Sequence, residues 1–176
     1  QLYDTETTEP VLVYPDGYAS KMRVGATNGL AARYMAPPET ATVGMLGAGR
    51  QAGGQAWGFD AALDLEEIRV FSPTEANREA FAEEWDARLD ADVVAADSAE
   101  AAVAGADVLA CASNAMAPVF EAEWIEPGTH VSAIKNPEVP DEAFERVDRI
   151  AVHTWLHPNG PDNYAPRGSD FGRRLD

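Results

Sequence analysis

The chain has 176 residues, 45% of them hydrophobic, enough for one globular domain with a core and an arm but too few for two full domains. Its 30 acidic residues against 13 basic ones leave a formal net charge of −17, a field that repels nucleic acid and anionic membrane surfaces. No basic leader with an apolar run, and no stretch suited to a membrane span, stands in the sequence; a lone Cys111 excludes an intrachain disulfide framework. A cytoplasmic protein is expected, with Cys111 a small buried hydrophobe. Acids such as Asp60, Glu66, Glu83, Asp86 and Asp90 are scattered rather than clustered, which predicts solvated faces and suggests adaptation to high salt, where self-repulsion is screened. The first residue is not Met, so a piece of a longer protein is expected.

In chain order, Pro10–Tyr14 is a predicted strand, Pro15-Asp16-Gly17 a turn, and Thr27–Met35 a short helix before Pro37-Pro38. Residues 1–38 therefore form an arm expected to belong to another domain. Without that domain, an apolar face over Pro10–Met35 would be exposed. The apolar strand Thr42–Leu46 then runs into Gly47-Ala48-Gly49-Arg50-Gln51-Ala52, a glycine turn that opens a helix carrying Ala52, Ala56, Trp57 and Phe59. In such a turn Gly47 permits the tight bend, Gly49 lets the backbone approach a pyrophosphate, and small Ala52 lets the helix pack closely on the strand. Free N–H groups at the helix start face the phosphates.

A strand at Ile68–Ser72 follows, and Ser72-Pro73-Thr74-Glu75 reads as a capping box, with Ser72 at N-cap and Glu75 at N3. The helix it opens repeats Phe81, Trp85 and Leu89 at a spacing of four, a core-facing stripe. Next come a strand at Asp92–Ala95, a helix start at Asp97-Ser98-Ala99-Glu100, and strands at Asp107–Ala112, Thr129–Ile134 and Arg149–His153. About six strands alternating with crossovers behind a glycine turn predict an α/β doubly wound parallel sheet, with ligand at the carboxyl ends of the strands, spanning residues 39–154. Residues 155–176, rich in Pro, Gly, Asn and Arg, are an expected loop leading back to the other domain.

The stretch Arg23-Val24-Gly25-Ala26-Thr27-Asn28-Gly29-Leu30-Ala31-Ala32-Arg33-Tyr34-Met35-Ala36, followed by the strand and Gly-Ala-Gly-Arg-Gln-Ala, resembles the ornithine cyclodeaminase and mu-crystallin family. The likeness continues through Phe71-Ser72-Pro73-Thr74, Gly105-Ala106-Asp107, Pro118-Val119 and Pro127-Gly128-Thr129-His130-Val131, and covers about residues 20 to 153. The resemblance implies a two-domain enzyme that uses NAD or NADP on amino acids or cyclic imines, commonly a homodimer built through its substrate domain. It also implies that Arg23 contacts the substrate carboxylate, where a guanidinium binds bidentately, with an exposed salt-bridging arginine as the plainer reading. The family's catalytic lysine would lie outside this chain, so the catalytic residue is not assigned and the chain alone is expected to bind cofactor better than it turns over.

At the end of the second strand an NAD enzyme usually places an acid for the ribose hydroxyls. Ser72, Pro73 and Thr74 stand there instead, and Glu66 and Glu67 fall at the strand's start. That favours NADP(H), with NAD(H) as the other option, the 2′-phosphate meeting Ser72, Thr74 and Arg78, with Asn77 nearby; Arg78 equally reads as a solvent-facing helix residue. Ser113 and Asn114, after the fourth strand, are placed for the nicotinamide ribose or, equally, as turn formers. After Ile134 the cyclodeaminases of the family resemble Gly-Gly-Asp, whereas this sequence has Lys135-Asn136-Pro137-Glu138. An imine reductase or amino-acid dehydrogenase is therefore expected ahead of a cyclodeaminase or a non-catalytic nucleotide binder. Lys135 reads as near the cofactor or, more simply, as a loop-surface residue. His130, His153 and His157 show no metal-ligand spacing, so no metal is expected.

Overall fold

The computed structural model describes residues 1–14 and 16–151. Leu2–Tyr3 (β1) and Pro10–Leu12 (β2) pair as a short antiparallel ribbon, and Asp16–Met35 form a 20-residue helix, α1. Then come Thr42–Leu46 (β3), Arg50–Ala62 (α2), Glu67–Phe71 (β4), Glu75–Asp86 (α3), Asp92–Ala95 (β5), Ala99–Val103 (α4), Val108–Cys111 (β6) and His130–Ala133 (β7). Strands pair in parallel in the order β5-β4-β3-β6-β7. β3 thus sits at the centre, and the strand order reverses beside it, where doubly wound folds open a ligand crevice.

Both faces of the sheet are covered, so β6 is apolar throughout and β3 nearly so, while β4 places Glu67 and Arg69 at partly buried positions. Val43, Met45, Ile68 and Val70 face a core completed by Ala52, Ala56 and Phe59 of α2, Phe81 and Trp85 of α3, and Ala32 of α1. Leu46, Leu109 and Cys111 belong to the opposite core with Ala102, Val103, Phe120 and Ile125. The expected stripe on α3 is present, with Phe81 and Trp85 stacked at 5.9 Å between ring centroids and Leu89 packed beside them. Trp57, on α2, is instead 42% exposed. No helix among the described residues is long and apolar enough to cross a membrane.

The arm departs from expectation. No turn interrupts Asp16–Gly17: the helix predicted from Thr27 starts there and runs unbroken to Met35. Gly25 and Gly29, which weaken an isolated helix, lie flat against α2. A Cβ at Gly25 would overlap the Gly54 carbonyl, one at Gly29 the Gly58 carbonyl, and one at Gly58 the Gly25 carbonyl. The helices run side by side in the same direction with backbone on backbone, and Asn28 Nδ2 donates to the buried Gln55 Oε1 at 2.7 Å. Tertiary contact outweighs local propensity here. Away from this seam, Val11, Val13, Tyr18, Leu30 and Tyr34 are each more than half exposed, which gives the expected apolar face.

The other differences are local. The helix after β4 begins at Glu75 with Thr74 as N-cap, and no side chain caps it, so the Ser72 box does not form. Ser72 follows the end of β4, and its carbonyl accepts from the Arg78 guanidinium at 3.2 Å. Ser98 does cap α4, accepting from Ala101 N at 3.0 Å. The sheet holds five strands among the described residues, and Arg149 to Ala151 are not strand; the rest of the expected sixth strand, together with His153, His157 and the tail, lies outside the described residues.

Candidate cofactor-binding site

The β3–α2 turn sits at the centre of the sheet's carboxyl edge. Gly47 N donates to Phe71 O at 2.8 Å and Ala112 N to Leu46 O at 2.9 Å, tying the ends of three strands together. Gly47 has φ +124°, and a Cβ there would lie 2.5 Å from Ala112 O, so both conformation and space demand glycine. Ala48 leads to Gly49, the N-cap of α2, which carries no side-chain cap, while the first turn of α2 holds no acid. The first internal bond, Gly53 N to Gly49 O, is long at 3.4 Å. The N–H groups of the opening turn, from Gly49 through Arg50, Gln51 and Ala52, thus gather at a positive helix end. A Cβ at Gly49 would meet nothing within 4 Å, so this approach is open. Buried Ala52 packs beneath it in the core. Such a turn can hold a pyrophosphate by backbone alone.

At the exit of β4 no acid stands between Ser72 and Thr74, while Glu67 lies at the far end of the strand and pairs with Arg69 at 3.1 Å. Arg78 does not face solvent. Its side chain is 13% exposed, folds back over the Phe71 ring at 5.8 Å, and donates to Ser72 O at 3.2 Å, with Glu75 4.0 Å away. The hydroxyls of Ser72 and Thr74 make no hydrogen bond to the described residues and remain available.

At the exit of β6, Ser113 N and Oγ both donate to Glu138 Oε1 at 2.6 Å, and Ala115 N donates to Ser113 Oγ at 3.1 Å. Ser113 thus holds its turn through Glu138, and Asn114 is exposed beside it. Lys135 Nζ donates to Ala115 O at 2.6 Å, which makes Lys135 a brace between the end of β7 and this loop rather than a surface residue. Glu138 is fully buried, with Oε2 lacking a partner among the described residues. Burial, with Glu138 adding to it, holds the Cys111 thiol well above its usual range, so Cys111 is the inert apolar residue expected. Burial also lowers the His130 pKa. Among the described residues no group of three or more His, Cys, Asp or Glu could hold a metal.

Arg23 is not brought to the glycine turn. It lies two residues from both Lys21 and Gly25, roughly 200° round the helix from the face that meets α2, and is exposed. Lys21, by contrast, lines a cleft of about 290 Å³ with Ala48, Gly49, Arg50, Asn77 and Trp85. Sequence reading missed Lys21 and Glu138 as site residues. The scarcity of lysine was the available signal, since the only two, Lys21 and Lys135, both reach this edge. Glu138 gave none, because its partner is 25 residues away.

The ornithine cyclodeaminase/mu-crystallin family profile matches residues 1–148. Delta(1)-pyrroline-2-carboxylate reductase of Bacillus cereus is 28% identical over 158 residues, which cover 87% of this chain and 48% of that protein. Alanine dehydrogenase of Archaeoglobus fulgidus is 32% identical over 134 residues, covering 76% of this chain and 40% of that protein. The structure of Thermococcus litoralis Delta(1)-pyrroline-2-carboxylate reductase in complex with NADH and L-proline superposes with a TM-score of 0.75 at 30% identity, over 80% of this chain and 45% of that one. The chain spans about half the length, or less, of these relatives. The matched residues include the glycine turn, the sheet and the Arg-x-Gly-Ala helix, and the chain belongs to the ornithine cyclodeaminase/mu-crystallin family.

Proposed function

We propose that the protein is an NAD(P)-dependent oxidoreductase that reduces an imine to an amine, or runs the reverse oxidation on an amino acid. The observation that carries the reading is the uncapped, acid-free start of α2 behind an open Gly49. On this reading the pyrophosphate rests on Gly47 to Ala52, Ser113 and Asn114 border the nicotinamide ribose, and Arg23 addresses a substrate carboxylate from the outer side of α1. The bound nicotinamide would supply hydride to the imine carbon while a proton reaches its nitrogen. The relatives named above, a pyrroline-carboxylate reductase and an alanine dehydrogenase, support this class of reaction. Lys135, standing at the end of β7 and held by Ala115 O, supports a reductase or dehydrogenase over a cyclodeaminase that needs an acid there.

The same reading prefers NADP(H), because no acid stands from Ser72 to Thr74 at the exit of β4 and the Ser72 and Thr74 hydroxyls are uncommitted. Residues 1–38 and 155–176 are taken as parts of a substrate and dimerisation domain, and 39–154 as the dinucleotide domain. A homodimer is supported by the exposed apolar residues of the ribbon and α1. A net charge of −17 disfavours nucleic acid, and one buried thiol suits a reducing, cytoplasmic setting. Salt adaptation is part of the proposal, and its mark is a melting temperature that rises with added salt. The decisive experiment is a calorimetric titration with NADPH and NADH, repeated on Gly49→Val. Cofactor binding in the parent and its loss in the variant are expected; absence of binding to a folded parent would overturn the reading.

A further inference from the structure

The cleft beside the glycine turn is walled by α2 on one side, α3 on another and α1 on a third, and two cations meet in it. Lys21, from α1, holds its Nζ 5.8 Å from the Trp85 ring and 5.1 Å from the Tyr18 ring. Arg50 opens α2, and its guanidinium reaches the first turn of α1, where a Cβ on Gly17 would lie 2.8 Å from Nη1. Neither cation forms an ion pair among the described residues, although acids outnumber bases 30 to 13. Arg50 is also the first residue of α2, where positive charge is unfavourable unless an anion offsets it. Glu84 is the one acid in the lining, and its carboxylate is held by Arg88 at 3.1 Å. Asn77, in the first turn of α3, adds an amide without a hydrogen-bond partner among the described residues. At about 290 Å³ the cleft is far larger than the ~30 Å³ of a liquid water and has room for a phosphate.

We infer that Lys21 and Arg50 meet the charge of a ribose 2′-phosphate, with Asn77 hydrogen-bonding to it. The inference rests on the NADP(H) reading and shifts its charge recognition away from Arg78, whose guanidinium is already engaged by Ser72 O and lies near Glu75. Lys21 is thereby a specificity residue supplied by the helix that precedes the sheet. Two charge-assisted contacts of this kind are each worth about ten-fold or more in affinity.

The test is calorimetry on the protein, Lys21→Gln, Arg50→Gln, the double variant and Arg78→Gln, with NADPH, NADH, adenosine 2′,5′-bisphosphate, adenosine 5′-monophosphate and inorganic phosphate, each variant checked for folding by near-ultraviolet circular dichroism. The parent is expected to prefer NADPH to NADH and the bisphosphate to the monophosphate. Lys21→Gln should cut that preference about ten-fold with little change for NADH, and the double variant should abolish it. If the preference survives the double variant but disappears in Arg78→Gln, the inference falls while the NADP(H) reading stands. A parent with no preference for NADPH overturns both. Inorganic phosphate binding as tightly as the bisphosphate would show a free-anion site and also overturn the inference.

Discussion

The two edges of the sheet are built on opposite rules. At the amino edge, side chains close off backbone donors: Asp107 Oδ2 accepts from Ala41 N at 2.9 Å and Thr42 N at 3.0 Å, Asp60 Oδ1 from Ala91 N at 3.0 Å, and Asp86 Oδ1 from Val93 N at 2.9 Å. At the carboxyl edge, the start of α2 has no cap and the hydroxyls of Ser72 and Thr74 stay unused. Carboxylates are therefore placed where they stabilise the amino edge and withheld from the start of α2, where they would repel a phosphate, while the starts of α3 and α4 carry Glu75 and Glu100. Glu138 is the exception, a buried acid at the carboxyl edge that acts as the aspartates do, holding the Ser113 turn.

The largest separation of the two rules should come from Gly49→Val. Its Cβ would touch nothing in the protein, and φ −94°, ψ −173° is extended backbone, so stability should change by less than about 1 kcal/mol. Cofactor affinity should nevertheless fall at least about 100-fold by calorimetry, equivalent to about 2.7 kcal/mol or more. A large fall in melting temperature would instead show that the carboxyl edge also carries stability. Glu138→Ala tests the exception: it strands Ser113 N and Oγ and opens a hole, and denaturant unfolding should report a loss of about 2–4 kcal/mol together with weaker cofactor binding. Asp107→Ala should cost about 1–3 kcal/mol for the two stranded N–H groups, with dinucleotide affinity unchanged. If affinity fell with stability, the edges would not be independent.

The smallest effect concerns pH. Burial depresses the folded-state pKa of His130 below the ordinary imidazole value of about 6.5, so the unfolded chain takes up a proton first as pH falls. Stability is then fully present above about 6.5 and declines through the window from there down to the folded pKa. Replacing His130 with Asn should flatten that decline, visible in melting temperatures measured at fixed salt.

The central architecture was legible because the strands of the sheet are short, mostly apolar runs between turn residues; β3 and β5 were placed at their observed bounds, Thr42–Leu46 and Asp92–Ala95, and β4, β6 and β7 to within a residue at each end. The glycine turn was legible because its chemistry is local to six residues. What escaped depends on partners distant in sequence. The first turns of α1 were missed because Gly25 is held there only by Gly54 and Gly58 of another helix, and Glu138 shows its role only beside Ser113, 25 residues away. Leu2–Tyr3 is too short to announce itself without β2. After β4 a good capping signal at Ser72 goes unused, because the helix starts later, at Glu75 with Thr74 as its N-cap.

The seam between α1 and α2 bears on how the molecule can move. Helices separated by side chains slide by switching rotamers, but carbonyl oxygens pressed against glycine Cα atoms offer nothing to switch. The pair behaves as one rigid lever, with Arg23 on its outer surface and the glycine turn at its base. Any opening of the carboxyl edge therefore has to leave this pair of helices intact.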